Sequence, residues 1–358
     1  MAGRAAPDST AADVLVVGAG PCGLAAAIAL GRAGLDALVV DRGPLVSSIA
    51  SYPLYLTFFS TAEKISIGGI PFVTGGDKPT RREALAYYRL VAEHFALRLR
   101  LYEPVVSLRR EGGAIVAETE TADGTRHELR AGAVVVATGY FGTPNLLGVP
   151  GERLPHVSHL FREGHEAFGR DAVVVGGGNS AVEAALELYR ARARVTLVHF
   201  GDGPDRNVKP WVLPDFENRV KDGSIGAAWG SRVLEILPDA IRLSTPDGER
   251  AIPAQHVYLM TGFTPSTTLL EGLGVTVSRE TGIPTHDPAT METNVPGVFV
   301  AGVLTAGLDA NKVFIENGRD HGERIAGAVG GRARGAEIGD GLGTGDGGRG
   351  TSLGSAPS

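Results

Sequence analysis

Twice in this chain a short β-branched run stops at a glycine-rich turn and passes into a helix. The first is DVLVVGAGPCGLAAAIAL, from Asp13 to Leu30, and the second is DAVVVGGGNSAVEAALEL, from Asp171 to Leu188. Each is followed by another apolar run, DALVVDRG and ARVTLVHFGD, which closes a strand–helix–strand unit. Apolar runs of four to eight residues without alternation read as strands buried on both faces of a parallel sheet. The chain is therefore an internal repeat of two α/β units, and reading it as one domain gives the wrong fold. Its 358 residues suggest two domains, or three, at about 150 residues each.

Gly18, Gly20 and Gly23 form GxGxxG directly after the first strand. The first glycine permits the tight turn, the second lets backbone approach a pyrophosphate, and the third lets helix and strand pack closely. Ala27 keeps that packing close, and the helix N-terminus offers N–H groups and partial positive charge to the phosphates. Asp41 ends the second strand, where an acid bonds ribose hydroxyls. Gly176, Gly178 and Ala181 repeat the pattern as GxGxxA, with Ala185 as the small residue on the helix. Here the strand ends in His199-Phe200, not an acid, which removes repulsion against a 2′-phosphate. Arg206 and Lys209 follow and are candidates to pair with that phosphate, so NADPH is expected over NADH; an ordinary solvated loop is the alternative for both. Two dinucleotide sites in one chain point to hydride passing between a nicotinamide and a second cofactor, most economically FAD.

The rest of the chain fits between these units. Residues 81–96 have helical periodicity, residues 99–136 read as an antiparallel meander with a turn at Asp123-Gly124, and AGAVVVATGY is another buried strand. A Pro/Gly-rich link, TPNLLGVPGE, precedes the second unit. After it come a meander over 225–252, the strand HVYLMTGF, the strand GVFVAG and a helix from about Asn311 to Val329. Glycine occurs 51 times, about twice the usual frequency of roughly 7%. The glycine-rich, polar residues 331–358 carry part of that excess and read as a disordered tail.

Several classes of function are set aside. The hydrophobic share of 43% and charged share of 21% are those of a globular protein. No run of eighteen apolar residues suggests a membrane span, the first ten residues lack the apolar core of a signal peptide, and the net charge of -6 gives no reason to expect nucleic acid. A single cysteine, Cys22, excludes an intrachain dithiol relay and points to a cytoplasmic protein. His156, His159 and His165 lack metal-site spacing and read as exposed link histidines, so no metal is expected. Glu183 and Glu187, one helical turn apart, read as a solvated face. The aromatic and polar stretch Thr57 to Lys64 is expected to wall a flavin or substrate pocket.

The order GAGPCG, ATG, GGGNSA, MTG and TNVPGVFVAG resembles the two-dinucleotide-binding-domain flavoproteins, which include thioredoxin reductases, over roughly residues 13–328. The stretches GPCGLAAAIAL, YPLYLTFFSTAEKISIGGIPF, KPTRREALAYYR, KPWVLPDFE and ATMETNVPGVFVAGV, with FIENGRDHG, resemble the bacillithiol disulfide reductase family more closely. That resemblance implies an α/β fold of two Rossmann-like domains (three-layer ββα), with the NADPH domain inserted in the FAD domain. The expected division begins with a disordered N-terminus, 1–10, and the first segment of the FAD domain, 11–147. The NADPH domain follows at 148–267, then the second segment of the FAD domain at 268–330 and the tail at 331–358.

The resemblance implies FAD contacts from Gly18, Gly20, Pro21, Cys22, Gly23, Asp41, Arg42, Ala137, Thr138, Gly139, Gly302, Val303 and Lys312. It implies NADPH contacts from Gly176, Gly178, Asn179, Ser180, Ala181, His199, Arg206, Lys209, Thr261 and Gly262. Two departures from thioredoxin reductase stand out: there is no CxxC, and Val303 replaces the usual ribityl-binding aspartate, which leaves that contact to backbone N–H groups. By the same resemblance the helix beginning near Asn311 points its N-terminus at the flavin, where Lys312 either helps stabilise the reduced form or is a plain surface lysine.

The implied activity is NADPH-dependent reduction of a low-molecular-weight disulfide, that of bacillithiol, with Cys22 as candidate nucleophile. Its place at a helix N-terminus lowers a thiol pKa while a nearby pyrophosphate raises it, and a small-residue slot is the other reading. The glycine loop also lies some way from the reactive flavin ring. A ferredoxin or flavodoxin reductase needs no cysteine and stays open. A flavin monooxygenase is disfavoured because FxGxxxH is not met at Gly151 and His156. A redox-sensing NADPH binder also stays open. A homodimer or higher homo-oligomer is expected by analogy alone.

Overall fold

The computed structural model describes residues 10–340, with side chains through residue 331. The first strand, β1 (Ala11–Val17), leads through the glycine turn into α1 (Pro21–Arg32), and β2 (Ala37–Val40) returns beside β1 in parallel. Pro21 occupies the first helical turn, where its missing N–H has no intrahelical acceptor to lose. Short helices α2 (Ser47–Ser51) and α3 (Ala62–Ile65) precede α4 (Arg81–His94). Thr80 and Glu83 close a reciprocal capping box at the start of α4, which fixes where it begins.

Strands β3 (Arg98–Arg100), β4 (Val105–Glu111), β5 (Ala114–Glu120) and β6 (Arg126–Val136) complete the first chain segment. The sheet order is β3-β2-β1-β6-β5-β4. The long β6 belongs to two structures at once. One edge pairs in parallel with β1, while the other pairs antiparallel with β5 over Arg126–Ala131 and then in parallel with a late strand over Val134–Val136. Successive residues divide between two cores: Val14 and Val16 face the helices, and Leu15 and Val17 face the meander.

The chain crosses to the second unit at β7 (Thr143–Pro144), followed by β8 (Val157–Ser158), β9 (Asp171–Val175), α5 (Asn179–Arg190), β10 (Arg194–Val198), α6 (Leu213–Lys221) and β11 (Ile225–Ala228). A three-stranded antiparallel sheet follows, β12 (Arg232–Ile236), β13 (Ala240–Thr245) and β14 (Gly248–Pro253), and then β15 (His256–Leu259). The second parallel sheet is β11-β10-β9-β15-β8. The expected meander over 225–252 therefore starts later: Ile225–Ala228 pairs in parallel with β10, because Ile225 and Ala228 are buried there.

The return crossing is β16 (Phe263–Thr264), which pairs antiparallel with β7, so the two connections between units are bonded to each other. Asn145 ties them: its N–H donates to Gly262 O at 3.0 Å, and its side chain bonds Thr261 O and Thr264 Oγ1. The chain then runs through α7 (Thr268–Gly272), β17 (Val298–Val300), α8 (Ile315–Gly318) and α9 (His321–Asp340). The second unit is thus inserted between two segments of the first, as the fold class expected. Where one helix from about Asn311 was expected there are two, beginning at Ile315 and His321, and the backbone of the second continues to Asp340, past the expected end of the ordered chain at 330. The terminal segments 1–9 and 341–358, expected to be disordered, lie outside the described residues.

Candidate active site

Both glycine turns open into one cavity of about 1500 Å³, larger than the roughly 300–1,000 Å³ that a single small ligand needs. At the first turn Gly18 has φ +116°, and a Cβ there would lie 2.3 Å from Ala137 O. A Cβ on Gly23 would lie 1.9 Å from Gly18 O, whereas one on Gly20 would meet nothing within 4 Å. The loop is thus closed against its own backbone and open toward the cavity, as a phosphate cradle requires. Gly20, Pro21, Cys22, Asp41, Ala137, Thr138, Gly139, Gly302 and Val303 line the cavity. Asp41 accepts the N–H of Ala19 at 2.7 Å and of Gly43 at 2.8 Å, so it holds the loop in shape from the end of β2. Thr138 Oγ1 is buried with no partner, a polar atom waiting for one from the cavity.

Two expected flavin residues lie elsewhere. Arg42 donates to Gly142 O at 3.3 Å, and Lys312 pairs with Asp309 at 3.5 Å on an exposed turn ahead of α8. Lys312 is therefore not on a helix N-terminus, because the helix begins three residues after it. Gly302 N–H is committed to His321 Nδ1 at 3.1 Å, which removes it from the backbone donors expected to replace the missing ribityl aspartate. His321 carried no sequence signal for this role. Burial, with the charges of Arg324 and His286, pulls its pKa down to about 4, so it stays a neutral acceptor at pH 7.

Cys22 sits beneath the same glycine. A Cβ on Gly302 would lie 3.1 Å from Cys22 Sγ, and one on Gly318 would lie 2.9 Å from it. Burial, followed by the carboxylate of Asp320, pushes the thiol up to about 12. Neither expected influence, helix N-terminus or pyrophosphate, is the cause of this rise; burial and Asp320 are.

The second turn repeats the backbone with other chemistry. Gly176 has φ +138°, and a Cβ would meet Met260 O at 2.4 Å. Gly176, Gly178, Asn179, Ser180, His199, Lys209, Thr261 and Gly262 line the cavity, while Ala181 is buried behind Gly176 and Arg206 is exposed off the lining. Asn179 acts as a clamp: Nδ2 donates to Asn207 O at 3.1 Å, and Oδ1 accepts Lys209 N–H at 2.9 Å. The His199 ring is buried against Gly177, with Nε2 3.3 Å from Asp205 Oδ1 and Nδ1 unpartnered.

Lys209 is already engaged. Its Nζ lies 2.5 Å from Glu183 Oε1 and 3.4 Å from the centroid of the Phe59 ring, which belongs to the first unit. Glu183 is therefore not part of a solvated face; it lines the cavity and pairs there. Glu187 instead pairs with Arg190. Phe59 lies in the expected pocket wall, and Thr57, Phe58, Ser60, Thr61 and Lys64 line the cavity with it. Of the link histidines only His165 is exposed. His156 and His159 are half-buried, with His159 3.4 Å from the Glu152 carboxylate, which itself ties down the link by accepting the N–H groups of Leu147 and Gly148. Among the described residues no cluster suits a metal ion, and no helix is long and apolar enough to cross a membrane.

Both glycine turns face one cavity, and the sequence profile of the pyridine nucleotide-disulphide oxidoreductases matches residues 15–302. The chain belongs to the pyridine nucleotide-disulphide oxidoreductase family. It is 43% identical over 317 residues to the bacilliredoxin reductase Bdr of Bacillus subtilis, covering 88% of this chain and 96% of that one. The solved bacillithiol disulfide reductase Bdr (YpdA) from Bacillus cereus superposes with a TM-score of 0.87 at 43% identity, over 90% of this chain and 99% of that one. A ferredoxin–NADP reductase of Ignicoccus hospitalis is 30% identical over 300 residues, covering 82% and 90% of the two chains. The family makes this chain an oxidoreductase that uses a flavin and a nicotinamide cofactor, and the open cradles with the orphaned Thr138 hydroxyl fit that pair.

Proposed function

We propose that this chain is an NADPH-dependent FAD flavoprotein that reduces a low-molecular-weight disulfide, that of bacillithiol. The single observation that carries the reading is the shared cavity: both glycine turns and the chain's one thiol lie on its wall. The name of the solved Bacillus cereus protein supports the choice of disulfide. In this reading the loop from Gly18 to Gly23, with Asp41 and Thr138, holds FAD, and the loop from Gly176 to Ala181 holds NADPH. Bound together, the two cofactors supply a hydride donor and an electron relay. The overall balance is one NADPH, one proton and one disulfide giving NADP⁺ and two thiols.

The protein's own contribution is placement. The first turns of α1 and α5 would offer backbone N–H groups to the two pyrophosphates. Phe59 and its neighbours give the cavity an apolar wall on the side of the first unit. Cys22 attacks one sulfur of the substrate disulfide, releasing the first thiol and leaving a mixed disulfide whose reduction takes the electron pair. A thiol held near 12 is almost wholly protonated at pH 7, so its proton must leave as the substrate engages.

That protonated resting thiol is also the observation that favours a second reading, a ferredoxin reductase without a catalytic cysteine, in line with the relative from Ignicoccus. NADPH oxidation by the flavin-loaded wild type and Cys22→Ser, against bacillithiol disulfide, other disulfides, ferredoxin and oxygen, decides between them. The expected result is turnover on bacillithiol disulfide that falls at least ~100-fold in Cys22→Ser, as loss of a covalent nucleophile does. Turnover on ferredoxin alone, unchanged in the variant, would establish the second reading instead.

A further inference from the structure

The cations that the sequence offers for a 2′-phosphate are not the ones placed to receive it. Lys209 is bonded to Glu183, capped by Phe59 and only 15% exposed, and Arg206 does not line the cavity. In a unit of this kind the ribose is read at the end of the second strand, which here is His199. Ser231 N–H donates to His199 O at 2.9 Å, and Gly230 N–H donates to Gly201 O at 2.9 Å, so residues 230–232 run alongside that strand end. The first residue of β12, Arg232, therefore stands beside it, although it is remote in sequence. Its guanidinium lies 5.1 Å from the centroid of the Phe200 ring. Both side chains line the cavity, both are exposed, and Arg232 forms no ion pair with any described residue. A cation–π contact of this length holds the guanidinium against the Phe200 ring at the cavity wall.

We infer that Arg232, carried on the face of Phe200, receives the 2′-phosphate of the nicotinamide dinucleotide and sets the preference for the phosphorylated form. The inference rests on the NADPH reading above. Asp205 also lines the cavity, with Oδ1 3.3 Å from His199 Nε2. Arg232 supplies the positive charge and the paired donors that a phosphate recognises.

The test is calorimetric titration of the flavin-loaded full chain with NADP⁺, NAD⁺ and 2′,5′-ADP, in wild type, Arg232→Ala, Arg232→Lys and Arg206→Ala. Loss of a charge-assisted contact predicts that Arg232→Ala binds NADP⁺ and 2′,5′-ADP about 10- to 100-fold more weakly, with NAD⁺ changed less than about twofold. Arg232→Lys keeps some of the preference, and Arg206→Ala stays within about twofold of wild type for all three ligands. A wild type that prefers NADP⁺ together with an unchanged Arg232→Ala, or an Arg206→Ala that loses the preference, overturns the inference and leaves the NADPH reading intact. A wild type that binds NAD⁺ as tightly as NADP⁺ overturns the NADPH reading, and this inference with it.

Discussion

The two nucleotide-binding units share a backbone and differ in what closes each turn. At the first, the carboxylate of Asp41 reaches back from the strand end and accepts two loop N–H groups. At the second, a histidine ring fills the same place, lies on Gly177, and is held by an acid six residues further along. The loop after it is pinned by Asn179 on one side and by the Glu183–Lys209–Phe59 contact on the other. The two turns thus share their glycine spacing and differ in the side chain at the strand end, Asp41 in one and His199 in the other.

The largest test of that separation removes one cradle at a time. Gly18→Val forces a side chain into Ala137 O at a φ that L-residues rarely adopt, and Gly176→Val does the same against Met260 O. Gly18→Val is expected to purify without flavin. Gly176→Val is expected to keep its colour and lose pyridine-nucleotide binding, read by visible absorbance and by calorimetry. If Gly176→Val were also colourless, the two cradles would not be independent.

A smaller effect is expected at the strand end of the first unit. Asp41→Ala leaves the Ala19 and Gly43 N–H groups without their acceptor and should cost about 2 kcal/mol, seen as a lower melting temperature and faster flavin loss. An unchanged melting temperature and flavin content would mean that Asp41 does not shape the loop.

The smallest is a pH effect confined to the floor of the first unit. His321 titrates near 4 in the fold against about 6.5 when exposed, so the unfolded chain takes up its proton first as pH falls. The stability it contributes is complete above about pH 6.5 and is lost on descending toward pH 4. His321→Gln keeps an acceptor for Gly302 N–H and should flatten that decline by on the order of 1–2 kcal/mol, after discounting for partial solvent screening. Denaturant melts of both proteins across this range would show it; parallel curves would rule it out.

How much was legible beforehand follows from where each signal resides. Both cradles, their strands and the wall from Thr57 to Lys64 were readable because each lies within a few consecutive residues. Asn145 and His321 were not, since each acts on a partner more than fifteen residues away, at Gly262 and Gly302. Glu183 looked like an exposed helix face because periodicity within α5 carries no information about Lys209 or Phe59 across the cavity. Lys312 was misplaced because the helix begins at Ile315, after Asn317 caps it by accepting Phe314 N–H. The protonation of Cys22 depended on packing beneath Gly302 and Gly318, which nothing adjacent to it in the chain reveals.

The central claim is that electrons pass from one cradle to the other inside a single cavity. An anaerobic titration tests it directly: flavin-loaded protein receives an equimolar amount of NADPH and then bacillithiol disulfide. The account predicts that the visible flavin absorption bleaches with NADPH and returns as the disulfide is consumed, with two thiols released per NADPH. Flavin that stays oxidised in the presence of saturating NADPH would contradict it.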